Sequence, residues 1–215
     1  MSGRCSSTVT QYSGVGNPAL ANYPPPMLVD VLTQSLIVAP GALDHSLKGA
    51  SQAAVAVLIR PDNGVLFIRR SDHPGDPWSG HIALPGGRVD PSDSGTEATA
   101  AREVAEEVGV DLKGARLIGM LDQVASPDLA PRVVVSPYVY VLPSAPDVVI
   151  DRTEVAAVYW FSLERLLSGE GRGRFEYSFR GQSMQLPCVD LDGACIWGMT
   201  LRVVDDLLSR LQNSL

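Results

Sequence analysis

The chain has 215 residues, 45% hydrophobic and 19% charged, and its 17 basic against 24 acidic side chains leave a net charge of −7. That length suits one domain with a sizeable core, the apolar share excludes wholesale disorder, and an acidic chain lacks the basic face that sequence-independent nucleic-acid binding needs. No apolar run approaches the roughly 20 residues that cross a bilayer, so neither a membrane nor a nucleic acid is expected as partner.

Three cysteines, Cys5, Cys188 and Cys195, are too few for a disulfide scaffold, and their odd number points to a reducing, cytoplasmic setting. Residues 1–26 are rich in Ser, Gly, Asn and Pro, with Arg4 the one charged side chain, and end in Pro24-Pro25-Pro26. They read as a flexible tail with a stiff hinge. One arginine is too few for a transit peptide, and the tail lacks the apolar core of a secretory signal. A single domain is expected over residues 27–215.

Met27 to Val38 spaces Leu28, Val31, Leu32 and Leu36 as an amphipathic helix does. Ala53–Ile59 and Val65–Arg69 read as strands, joined through Asn63-Gly64, a strong hairpin signal. Further strands are expected at Ile82–Leu84, Arg116–Leu121, Val133–Leu142 and Val155–Phe161. Pro137 within one of these predicts an edge or a bulge. Phe175–Arg180 and Cys188–Ile196 form a late β section, the latter turning at Asp192-Gly193. A closing helix from about Met199 to Leu211 aligns Leu201, Val204, Leu208 and Leu211 on one stripe.

The segment 84–110 stands apart. Ser94 and Glu97 have capping-box spacing, and Gly109 is placed to end a helix as a left-handed residue. At about 100° per residue, Ala98, Ala101, Val104, Ala105 and Val108 share one face, and Glu103, Glu106 and Glu107 gather opposite. Such a trio is either a solvated acidic face, with Arg102 and Glu106 as an i, i+4 pair, or a hard-cation site of oxygen ligands. Helix geometry alone does not choose.

The preceding Pro85-Gly86-Gly87 lets the backbone turn sharply and approach a ligand. No Gly-Lys-Ser/Thr follows, which excludes a Walker loop. A calcium loop starting at Asp90 would need a bidentate glutamate at its twelfth position, where Ala101 stands. Cys188 and Cys195 have neither zinc-pair nor redox-motif spacing. His73 and His81 lack ligand spacing and read as local hydrogen-bonding residues. Trp78 and Tyr138 read as core or interface side chains before base-stacking ones. Glu154, just before a strand, is a candidate to add a late carboxylate to this site.

The run from Gly87 to Val110 resembles the Nudix box, Gly-x5-Glu-x7-Arg-Glu-U-x-Glu-Glu-x-Gly-U with U aliphatic. Gly87 fits its first position, and Arg102-Glu103-Val104-Ala105-Glu106-Glu107-Val108-Gly109-Val110 fits its end without mismatch. Asp93 replaces the first Glu, and eight residues rather than seven separate it from Arg102. The coenzyme A pyrophosphatase-like branch of the Nudix hydrolases shares both departures. Leu66-Phe67-Ile68-Arg69-Arg70-Ser71, Gly80 and Pro85-Gly86-Gly87 keep the register of that branch's upstream signature. Ile196-Trp197-Gly198-Met199-Thr200 is similar to its Ile-Trp-Gly-x-Thr segment. The resemblance covers about residues 27–212, with Ile68, Asp72, Asp76 and Leu84 departing from the signature; Asp76 stands where the branch carries Arg.

The resemblance implies an α/β/α sandwich around a mixed β-sheet and a metal-dependent pyrophosphohydrolase using Mg²⁺ or Mn²⁺. Glu103 and Glu107, one helical turn apart, would be metal ligands, and Glu106 a third ligand or the base. Arg102 would orient a glutamate by ion pairing, so Glu106, Glu103 and Arg102 form the expected catalytic set. Arg70, Ser71, Gly86 and Gly87 would face the substrate, with Arg69 and Arg88 as further candidates for phosphate. The implied substrate is coenzyme A or an acyl derivative, cut to 3′,5′-ADP and a 4′-phosphopantetheine product. Asp76 and Asp72 raise the alternative of ADP-ribose, an NADH-like dinucleotide or a nucleoside triphosphate. A non-catalytic nucleotide-binding module is the third reading, disfavoured by the retained box carboxylates. Dimers are common in related enzymes, so a homodimer is an open expectation.

Overall fold

A computed structural model describes residues 10–11, 25–38, 41, 49–76, 78–126, 132–179 and 182–214. Most of the expected tail lies outside these residues. Within it, Thr10–Gln11 form a short strand, β1, and Pro25 and Pro26 open helix α1 (Pro25–Val38), where a missing N–H costs nothing. The remaining elements are β2 (Ser51–Ile59), β3 (Gly64–Arg70), β4 (Ile82–Ala83), β5 (Gly86–Arg88), α2 (Thr96–Val108), β6 (Arg116–Met120), β7 (Val124–Ala125), β8 (Val133–Val141), β9 (Val155–Ser162), α3 (Leu163–Leu167), β10 (Arg172–Phe179), β11 (Gln182–Leu191), β12 (Ala194–Trp197) and α4 (Gly198–Ser214).

β2 and β8 run parallel at the centre of an eight-stranded sheet, and antiparallel strands complete it. Because β2 is buried on both faces, it reads as a nearly continuous apolar run. One face sets Ala54, Ala56, Leu58, Leu66 and Ile68 against Ala100, Val104 and Val108 of α2. The other sets Val57, Ile59, Val65 and Phe67 against Leu28, Leu32 and Leu36 of α1 and Leu201, Val204, Leu208 and Leu211 of α4. Helices therefore cover both faces of a mixed sheet, the expected α/β/α layering. A second, four-stranded sheet in the order β1-β10-β11-β12 flanks it. Asp192 and Gly193 both take positive φ, 56° and 82°, as a tight hairpin between β11 and β12 requires. No helix among the described residues is long and apolar enough to cross a membrane.

Of the edge or bulge expected at Pro137, the edge is excluded, because β8 lies between β2 and β6. Pro137 instead faces an irregularity in the neighbouring chain, where three residues between Met120 and Val124 stand opposite two between Tyr138 and Val135. β6 pairs with β8 as far as Tyr138, and β7 resumes only at Val135, so no ladder bond on that side needs the missing N–H. The Ser94–Glu97 capping box does not form either. Gly95 is the N-cap without a side-chain cap bond, and Thr99 Oγ1 donates to Asp93 at 2.8 Å.

Asn63 joins β2 to β3 with a left-handed φ of 62°. Its N–H donates to Arg60 O, and its buried amide donates to Glu164 at 2.6 Å. Asn63→Ala should lose both the conformational tolerance and the charged hydrogen bond, costing about 2 kcal/mol or more. Asn63→Gly should cost less, because it keeps the backbone freedom. Urea unfolding of the two variants measures the difference.

Candidate metal-dependent active site

The site forms where β5 delivers its glycines to helix α2. β5 pairs antiparallel with β2, Gly86 opposite Val55 and Gly87 opposite Ala54. Gly86 has φ 150°, and a Cβ there would sit 2.6 Å from Val55 Cα, so only glycine fits so close to β2. A Cβ on Gly87 would overlap the Glu103 carboxylate. Both glycines thus belong to the site geometry: one packs the loop onto the sheet, and the other leaves room for a carboxylate.

The buried stripe of α2 is Thr99, Ala100, Val104, Glu107 and Val108. It is rotated from the expected alanine face, since Ala105 is exposed and Glu107 is only 1% exposed. Glu107 Oε2 accepts the Gly86 N–H at 2.9 Å. Burial, reinforced by the charges of Glu103 and Glu154, pushes its carboxyl up to about 8 against the opposing pull of the Gly86 N–H. Burial also raises Glu103, which Arg102 partly offsets.

Asp93, in the position of the first box glutamate, holds Arg102. It accepts from Arg102 Nε and Nη2, both at 3.0 Å, and these bonds, with the Asp90 amide, hold its carboxyl far below the usual range. Arg102 Nη1 reaches Glu103 at 2.9 Å and Glu106 at 2.8 Å, and Nη2 also donates to Arg88 O at 3.2 Å. All five guanidinium N–H groups are thereby engaged. Arg102 orders carboxylates and has no N–H left for a ligand.

Among the described residues, Glu103, Glu107 and Glu154 bring one carboxylate oxygen each within 4.8 Å of one another. Glu106 points aside, 58% exposed and bonded to Arg102. Glu154 arrives from the turn before β9, a convergence that sequence spacing does not reveal. A β-bulge contributes: the pairing of β3 with β9 shifts between Arg69 and Arg70, from Arg69–Ala157 to Arg70–Val155. Such an extra residue re-aims side chains beside a site, and only a carboxylate immediately before an apolar strand hinted at it. Three converging carboxylates suit a hard divalent cation. Glu107, ionised only reluctantly in the cation's absence, fits a site that a positive charge completes.

Arg70 ends β3 beside this cluster and lowers the Glu107 carboxyl by its charge. Its Nη2 donates to Asp76 at 2.9 Å. Burial opposes ionisation of Asp76, but the Trp78 N–H and Arg70 outweigh it and hold the carboxyl low. The Asp76 charge is therefore matched by Arg70. Ser71 donates its hydroxyl to Arg152 O at 3.1 Å. The His73 ring bonds across the fold to Thr153 O rather than locally, the Tyr138 hydroxyl meets Thr96 Oγ1, and Trp78 is half-buried with its backbone N–H on Asp76.

Residues 50–179 match the NUDIX domain family. The Nudix hydrolase NudL of Shigella sonnei is 30% identical over 183 residues, 84% of this chain and 93% of that protein. A Schizosaccharomyces pombe protein is 38% identical over 117 residues, and the match covers 52% of this chain but 36% of that protein. Among solved structures, the NUDIX domain of Shewanella oneidensis NrtR, in complex with ADP ribose, is similar at 26% identity and a TM-score of 0.45, over 62% of this chain and 85% of that one. With the box carboxylates assembled at the end of the glycine loop, this chain belongs to the Nudix family of pyrophosphohydrolases.

Proposed function

We propose that this chain hydrolyses the pyrophosphate bond of coenzyme A or an acyl-CoA, releasing 3′,5′-ADP and a 4′-phosphopantetheine product. The observation that carries the chemistry is the meeting of Glu103, Glu107 and Glu154 beside Gly86 and Gly87. The upstream register from Leu66 to Gly87 supports the choice of substrate. Glu103, Glu107 and Glu154 would hold Mg²⁺ or Mn²⁺; when bound, the cation polarises phosphoryl oxygens and makes water more acidic.

The residues of the chain do the rest. Arg70, Ser71, Gly86 and Gly87 line the substrate side. Glu106, exposed and paired with Arg102, takes the proton as a water oxygen attacks phosphorus and the bridging P–O bond breaks. Asp93 and Arg102 keep Glu103 and Glu106 side by side. Glu106→Gln is expected to lower kcat by about 100-fold or more while Mn²⁺ affinity stays near wild type, which separates a base from a ligand.

The substrate test is Mg²⁺-dependent turnover of coenzyme A with products identified by mass. Appearance of 3′,5′-ADP supports the reading; a folded, metal-binding protein that leaves coenzyme A intact overturns it. One observation favours a second reading. Asp76, where the branch carries Arg, tethers Arg70 instead of adding a cation, which suits a substrate with fewer phosphates such as ADP-ribose. A panel containing ADP-ribose, NADH and nucleoside triphosphates decides between them.

A further inference from the structure

We propose that Ser71 and His73 are positioning residues for Glu154, clamping the turn 151–154 so that its carboxylate meets those of Glu103 and Glu107. This rests on the metal-dependent reading above. Glu154 is exposed and lies on a loop, where an unheld carboxylate would sample many rotamers and lose entropy on binding a cation. The turn is nevertheless gripped on three consecutive carbonyls. Ser71 Oγ donates to Arg152 O at 3.1 Å, His73 Nε2 meets Thr153 O at 2.5 Å, and the Ser71 N–H donates to Glu154 O at 2.8 Å.

A carbonyl oxygen only accepts, so His73 carries its proton on Nε2. The histidine is itself anchored. Its N–H donates to Ser79 Oγ, which donates back to His73 O, both at 2.9 Å, and the Asp76 N–H also donates to His73 O. The clamp is therefore held by hydrogen bonds that His73 shares with Asp76 and Ser79 beyond the end of β3.

The opposite side of the turn is tied to helix α2. The Val149 N–H donates to Val108 O and the Asp151 N–H to Glu107 O, both at 3.0 Å, satisfying carbonyls that a helix end leaves open. Asp151 caps the turn through its carboxylate, which accepts from Thr153 N and Oγ1. These bonds keep the loop attached when Ser71 or His73 is changed, so the variants fold with the aim of Glu154 relaxed. Partners behind a ligand commonly change metal affinity by about 10- to 100-fold.

The experiment measures Mn²⁺ binding by the loss of the free-ion electron paramagnetic resonance signal, on full-length protein. His73→Ala is expected to weaken binding by about tenfold, Ser71→Ala to weaken it in the same direction, and His73→Gln, whose amide nitrogen replaces the Nε2 donor, to restore it. In a Glu154→Gln background the His73→Ala effect should vanish, because the clamp then has nothing to aim. Wild-type affinity in both alanine variants overturns the clamp, as does an equal loss with and without Glu154. A wild-type protein that takes up no Mn²⁺ overturns the metal reading and the clamp together.

Discussion

Glu107→Gln is expected to abolish Mg²⁺-dependent turnover while making the chelated protein more stable at pH 8. The loss of activity follows from removing one of three converging carboxylates; a catalytic cation supplies several kcal/mol of transition-state stabilisation, so the rate should fall on the order of a thousandfold. The gain in stability follows from burial. Glu107 has an ordinary value near 4.5 when unfolded and about 8 when folded, so folding opposes its ionisation. Its contribution is fully present below about 4.5 and is lost as pH rises through 8, a change of at most a few kcal/mol. In EDTA, wild-type stability should therefore fall between pH 5 and 8, and Mg²⁺ should reverse the fall by replacing the proton. Glutamine still accepts the Gly86 N–H and never ionises, so the variant should lose this pH slope. Urea titrations at pH 5, 6.5 and 8, with and without Mg²⁺, measure both effects. An unchanged slope in the variant would show that another group carries it.

Gly87→Ala and Gly86→Ala should fail in different ways although the residues are adjacent. Gly87 has no left-handed backbone requirement, but its added methyl would overlap the Glu103 carboxylate. The side chain of Glu103 must swing away, and the expected result is a roughly 100-fold loss of turnover with a near-normal melting temperature. Gly86 has φ 150° and a Cβ position crowded by the Ala54 and Val55 backbone. A backbone cannot step aside as a side chain can, so Gly86→Ala should lower stability by roughly 1–3 kcal/mol or more before any effect on catalysis is measurable. Thermal melts beside Mg²⁺-dependent rates distinguish the two, and a Gly87→Ala enzyme of full activity would show that Glu103 does not need its observed position.

Local signals explain what was legible. Gly109 ends α2 in the left-handed conformation, φ 68°, because a helix C-terminus with glycine at that offset has few alternatives. The stripe Leu201, Val204, Leu208 and Leu211 lies in the core as its period requires. The Asp192-Gly193 hairpin forms where both residues tolerate positive φ. Where local signals competed, tertiary contacts won. Ser94 could cap α2, but Asp93 joins Thr99 and Arg102 in a denser set of bonds, and Gly95 takes the cap position. The alanines of α2 exert little hydrophobic pull, so the helix turned to bury Val104, Val108 and the aliphatic stem of Glu107.

The spacing of Arg102, Glu103, Glu106 and Glu107 along one helix, the glycines before it and the alternation of the strands are properties of the chain in order, and periodicities of 3.6 and 2 suffice to read them. The partnership of Glu154 with Glu103 and Glu107 is of another kind. It spans 47 positions from Glu107 and depends on a bulge in β9, on two carbonyls at the end of α2 and on the clamp from Ser71 and His73. No short-range preference encodes such a contact, because its free energy arises only when the sheet has brought the two loops together. The charge balance at Arg70 and Asp76 is likewise tertiary: sequence shows an acid where a base was expected, and only the fold pairs it with the neighbouring guanidinium.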